Sequence, residues 1–140
     1  MRLDLYQAET AHIAMEQVAI LNQVRALLAQ ERVLTGLEQN GALHALQILI
    51  ENAIGKAKQI LNAQKIAVPV SAYDAFAVLA RHGEIPHTQL AAWNAIVGLR
   101  NRIVHDYMNI DMTKVLQFIQ TEQDQFILDF LLKPITKQAD

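Results

Sequence analysis

The chain has 140 residues, a formal net charge of −2 and 52% apolar residues, which suits one domain with a substantial core and excludes a disordered chain. It has no cysteine, so a disulfide framework, thiolate catalysis and any zinc site built on sulfur are excluded. The near-neutral charge argues against a protein that coats long nucleic acid, though not against one that grips a few nucleotides in a cleft.

The first segment carries Ala11, Ala14, Met15, Val18, Leu21, Val24 and Leu28 at three- and four-residue steps, which predicts a helix from about Leu5 to Val33. Thr35-Gly36 and Asn40-Gly41 are turn or capping signals that bracket a short connection. A second helix follows, with Leu43, Leu46, Ile50, Ala53, Ile54, Ala57 and Leu61 on one stripe and Gln47, Glu51 and Lys58 on a polar edge. Pro69 falls in a loop, and Ser71 is the expected N-cap of a third, short helix that carries Phe76, Val78 and Leu79 and stops near His82-Gly83. A fourth helix is expected from about His87, with Leu90, Trp93, Ile96, Val97 and Leu99, reaching Arg100 to Tyr107 before it ends. Asp111 is the expected N-cap of a last helix that carries Val115, Leu116, Ile119, Phe126, Ile127 and Phe130 and stops near Pro134.

Few breakers (5 Gly, 3 Pro) and 6% aromatics favour helices over sheets, so the fold class is all-α, an up-and-down bundle of four to five helices. Residues 1–133 form the expected single domain and 134–140 a frayed tail. No signal peptide opens the chain and no uncharged apolar run reaches about 18 residues, so a cytoplasmic protein without a membrane span is expected. Ile20 and Leu27 on the first helix, and Ile48, Leu49 and Ile60 on the second, lie off the main stripes. Such second apolar faces point either to a homodimer or to a crowded bundle interior.

The chemistry concentrates in Arg100-Asn101-Arg102-Ile103-Val104-His105-Asp106-Tyr107. On an ideal helix Asn101 and His105 share a face, as do Arg100 and Tyr107, whereas Arg100 and His105 stand roughly 140° apart. The last two meet at one atom only if the helix is distorted or a second protomer completes the site. A two-fold dimer brings two copies of the patch together. Arg donates bidentately to phosphate and stays charged, and His exchanges a proton near neutral pH. The reaction this suggests is metal-independent RNA cleavage, with the 2′-OH attacking phosphorus, His105 as general base or acid, Arg100 neutralising phosphoryl charge, and Asn101 orienting His105 or a phosphate oxygen. From spacing alone, the same side chains serve equally as an ordinary helix C-cap.

The string formed by Arg100, Asn101, Val104, His105 and Tyr107 resembles the signature of the HEPN superfamily as it occurs in HepT-like ribonuclease toxins. So do Pro69, Tyr73 to Phe76, Leu79, Gly83 to Pro86, Gly98 and Ile110-Asp111, and the likeness runs from about residue 40 to 120. The resemblance implies a HEPN-like helical homodimer whose paired Arg100 and His105 cut RNA, a toxin of a type VII-like HEPN/MNT toxin–antitoxin pair. It also implies an MNT-type nucleotidyltransferase antitoxin that transfers AMP from ATP onto Tyr107, placing negative charge and bulk beside the cleft. ATP and Mg²⁺ belong to that partner, and no cofactor is expected in this chain. Glu51 could order Arg100 or Arg102 from the neighbouring helix, or be a solvated edge. Arg102 is either an RNA contact or a surface cation.

His12, His44, His82 and His87 are scattered without metal-ligand spacing, so no metal site is expected. Trp93 reads as core, and Met108 and Met112 as packing residues. Besides the ribonuclease, a non-catalytic binding subunit of a nucleotidyltransferase and a helical interaction module stay open at this level.

Overall fold

The structure is a computed structural model and describes residues 2–135; the greater part of the tail expected at 134–140 lies outside the described residues. The fold is all-helical. The described residues form six α-helices: α1 Leu3–Ala29, α2 Gly36–Ala63, α3 Ala72–Arg81, α4 Leu90–His105, α5 Met112–Gln120 and α6 Asp124–Leu132. Six exceeds the four to five expected, and the additional one comes from a division of the last.

The first helix ends at Ala29, short of Val33, because Glu31 takes a left-handed φ of 56°, and the Gln30 and Glu31 N–H groups close the last turn by donating to the Leu27 and Leu28 carbonyls. The second begins earlier than expected. Thr35 accepts from the Glu38 N–H while the Glu38 carboxylate accepts from the Thr35 N–H, a reciprocal cap worth about 1 kcal/mol. Asn40 and Gly41 therefore lie inside α2 rather than in a turn. Ser71 and Asp111 cap α3 and α5 as expected, accepting from the N–H groups of Asp74 and Lys114.

The stretch 112–132 reads as one helix in the sequence but breaks at Thr121-Glu122-Gln123. The Thr121 hydroxyl donates to the Gln117 carbonyl at 2.8 Å, and Glu122 adopts φ 57°. The break lets α6 turn back onto α1 and α2. Asp124, 2% exposed, is clamped there by Arg25 of α1, with Nη–Oδ distances of 2.7 and 3.0 Å, and Arg25 also donates to the Ile119 carbonyl.

Helix α2 is the central element, packed against α1, α3, α4 and α6. This placement explains Leu49 and Ile60, which are buried in the bundle interior rather than presented on an outer face. Ile20 of α1 remains exposed. The aromatic centre is Trp93 of α4, stacked on Phe76 of α3 with centroids 4.3 Å apart and met edge-on by Phe130 of α6. Trp93 is thus core, as expected. Lys56 of α2 is 1% exposed and donates its ammonium to the carbonyls of Phe130, Leu131 and Lys133, filling the acceptors left open where α6 ends. Among the described residues no helix is long and apolar enough to cross a membrane.

Candidate active site

Helix α4 buries one stripe, Trp93, Ile96, Val97, Leu99 and Ile103, against the core. That leaves the remaining residues of its last turns to point outward or toward neighbouring helices. The helix is continuous to His105 and stops there, not at Tyr107. Asp106 leaves the helical region at φ −140°, ψ 39°, and its carboxylate accepts from the Asn109 amide at 2.7 Å. Tyr107 to Asn109 then form a single 3₁₀ turn.

The expected site residues are thereby sent to different sides. Arg100 turns toward α2, its Nη1 3.6 Å from the Glu51 carboxylate, which also accepts from Gln47 at 3.4 Å. The Arg100 Nε is buried without an acceptor among the described residues, so the guanidinium keeps donors uncommitted. Asn101 donates weakly to the Tyr73 hydroxyl of α3 at 3.4 Å and not to His105. Gly98 leaves room for that hydroxyl, which lies 3.4 Å from where a Cβ would stand. Arg102 faces the space between α4 and α5 and does not pair with Glu51. His105 is exposed.

Tyr107 is carried out of the helix by the break at Asp106, so it does not share the Arg100 face that an unbroken helix would give. Its hydroxyl donates to the Asn40 side chain near the start of α2. Asn40 and Tyr73 were not singled out as site residues. No local signal marks them, since Asn40 lies 67 residues from Tyr107 and Tyr73 lies 28 from Asn101. Met108 is 90% exposed rather than packed, and Val104, Tyr107 and Leu37 are exposed as well.

A family model of ribonuclease HepT-like proteins matches residues 15–130. The chain belongs to the HepT-like family. An mRNA nuclease HepT of Shewanella oneidensis is 31% identical over 88 residues, covering 63% of this chain and 66% of that protein, a little under two thirds of its length. Among solved structures, a tri-AMPylated HEPN toxin of Shewanella oneidensis in complex with an MNT antitoxin aligns over 90% of this chain and 96% of its own, with TM-score 0.75 and 24% identity. A toxin–antitoxin complex with AMP-PNP aligns over 90% and 97%, with TM-score 0.75 and 23% identity. At these identities the structural likeness establishes the HEPN fold, and the family match carries the assignment of this HepT-like chain.

Proposed function

We propose that this HepT-like chain is a metal-independent endoribonuclease toxin that works as a homodimer and is silenced by adenylylation of Tyr107. The observation that carries the dimer is the regularity of α4 through His105. An undistorted helix holds Arg100 and His105 roughly 140° apart, so one copy does not direct both at a single phosphate. Two copies related by a two-fold axis do, because Arg100 of one protomer then stands beside His105 of the partner subunit. The exposed apolar side chains of Val104, Tyr107 and Met108 give such a pairing apolar surface to bury.

In the cleft so formed, His105 takes the proton from a ribose 2′-OH as its oxygen bonds to phosphorus. The bond from phosphorus to the 5′-oxygen breaks, and His105 of the partner subunit returns a proton to that leaving oxygen. The products are a 2′,3′-cyclic phosphate and a 5′-OH. Arg100, steadied by Glu51, donates to the phosphoryl oxygens as charge builds on them. Asn101 and Arg102 extend the contacts to the strand.

Control by an MNT-type nucleotidyltransferase is supported by the tri-AMPylated relative held in complex with such an antitoxin. Tyr107 has the required hydroxyl, is 46% exposed and lies two residues beyond His105. Its oxygen would attack the α-phosphorus of ATP held by the antitoxin and release pyrophosphate. Each adenylyl group would then place a negative phosphodiester where the substrate phosphate must lie. Residues 1–133 would act as one unit in the cytoplasm, where RNA and ATP are available.

The test is digestion of RNA oligonucleotides by chain purified without the antitoxin, beside His105→Ala and an oligonucleotide with a 2′-deoxy residue at the cut. The expected result is cyclic-phosphate ends from the wild type, and a loss of about 10²–10⁴-fold in the variant with unchanged sedimentation. Wild-type chain that is unmodified and cuts no RNA would leave a non-catalytic binding subunit of the nucleotidyltransferase.

A further inference from the structure

A cleft of about 500 Å³ is lined by α4 from Ala92 to Arg102, by the start and body of α5, and by Phe126 of α6. Its floor is apolar, with Ile96 and Leu99 of α4 facing the half-buried rings of Phe118 and Phe126. Its rim is polar. Arg102 stands on the α4 side and Lys114 on the α5 side with Asp111, the N-cap of α5, and neither cation forms an ion pair with this carboxylate or another described residue. The exposed side chain of Gln123 donates one amide N–H to the Thr121 hydroxyl at 3.0 Å, which leaves its second N–H and its carbonyl oxygen for a ligand.

These three ingredients together fit one chemical class of ligand. Apolar and aromatic walls take the face of a nucleobase, an amide reads its edge, and two unpaired cations hold its phosphate. The volume falls within the range of about 300–1,000 Å³ usual for small-ligand sites. Arg102 joins the cleft to the candidate active site through His105, which follows it by three residues on α4 and so lies on the same side of the helix.

We propose that this cleft is a nucleotide subsite, which receives one nucleotide of the RNA flanking the cut, with its base on the Phe118 side and its phosphate between Arg102 and Lys114. This deepens the ribonuclease reading and rests on it for the source of the nucleotide. The subsite makes cleavage depend on base identity at one position beside the scissile bond, through the edge that Gln123 contacts. Lys114 supplies affinity without base preference.

Two measurements test it. Adenosine, cytidine, guanosine and uridine 3′-monophosphates are titrated into isotope-labelled chain, and backbone amide shifts are mapped. Shifts along α5 that weaken in Lys114→Ala support the subsite, whereas shifts confined to the Arg100–His105 region, or none, overturn it. In parallel, cleavage of a randomised RNA pool is sequenced for wild type, Gln123→Ala and Lys114→Ala, all at exposed positions. The expected result is a preference at one position that falls about fivefold in Gln123→Ala, the worth of one hydrogen bond. Lys114→Ala is expected to keep the preference and to reduce the slope of log affinity against log salt by about 0.7.

An unchanged preference and slope would overturn the subsite, and a change of oligomeric state in either variant would show instead that another copy of the chain closes the cleft. Should the wild type cut no RNA at all, the ribonuclease reading fails by itself and the titration still decides whether nucleotides bind here.

Discussion

Arg100 on α4 and Glu51 on α2 stand 3.6 Å apart across the helix interface, with the Arg100 Nε buried and without an acceptor. The pair is partly exposed, so its contribution to stability is about 0–1 kcal/mol. In the proposed reaction its value lies in aiming the guanidinium. Glu51→Ala is therefore expected to leave the unfolding midpoint nearly unchanged while lowering RNA cleavage by about 10–100-fold, the scale of a misplaced catalytic group. Equal cleavage rates for variant and wild type would reduce Glu51 to a solvated edge.

Tyr107 makes one side-chain hydrogen bond, to Asn40, and is 46% exposed. Tyr107→Phe should cost no more than about 1 kcal/mol in denaturant unfolding. On incubation with the antitoxin and ATP it should gain no adenylyl mass and keep its ribonuclease activity, whereas the wild type should gain mass and lose activity. A variant that is still adenylylated would move the modification to another residue.

Lys56→Met removes a buried ammonium from the carbonyls of Phe130, Leu131 and Lys133 and should destabilise the chain by about 1.5–3 kcal/mol near neutral pH. Burial pushes the Lys56 ammonium down to about 8 from its ordinary 10.5, with the charge of Lys133 adding to the effect. Between those values the unfolded chain binds more protons than the folded one, so stability from this group rises with pH across that window and is flat below it. Urea midpoints of wild type and variant should therefore diverge further between about pH 8 and 10. A gap that stays constant would place the Lys56 pKa at its ordinary value, and one that narrows would place it above that value.

Asp124 is 2% exposed and engages Arg25 through two hydrogen bonds where α6 turns back. Asp124→Ala leaves the guanidinium partly buried without its counter-charge, which should cost about 3–5 kcal/mol. Calorimetry should show a lowered Tm, and replacing Arg25 and Asp124 together by apolar residues should recover part of the loss. A single variant within about 0.5 kcal/mol of wild type would show that the clamp is dispensable.

Much of the bundle was legible in the chain because its signals are local. The stripe through Ala14, Val18, Leu21 and Val24 and the caps at Ser71 and Asp111 act within one or two helical turns. The capping box of Thr35 and Glu38 was equally readable, and giving the Asn40-Gly41 signal equal standing set the start of α2 too late. The division of the last helix was less visible, since its apolar spacing runs through the break. The clamp of Asp124 by Arg25, 99 residues away, helps hold it.

The sequence by itself determined the helical class, the single motif segment and the residue types able to work on a phosphate, because periodicity and functional-group chemistry are properties of neighbours along the chain. Only the tertiary structure decided that Arg100 meets Glu51 and Arg102 does not, that Asn101 meets Tyr73, and that Tyr107 leaves the helix to reach Asn40. Those pairings depend on how α2 and α3 pack around α4 and on the backbone turn at Asp106. The physical reason is that a helix fixes the angle between its own side chains, while what each one faces is set by elements tens of residues distant.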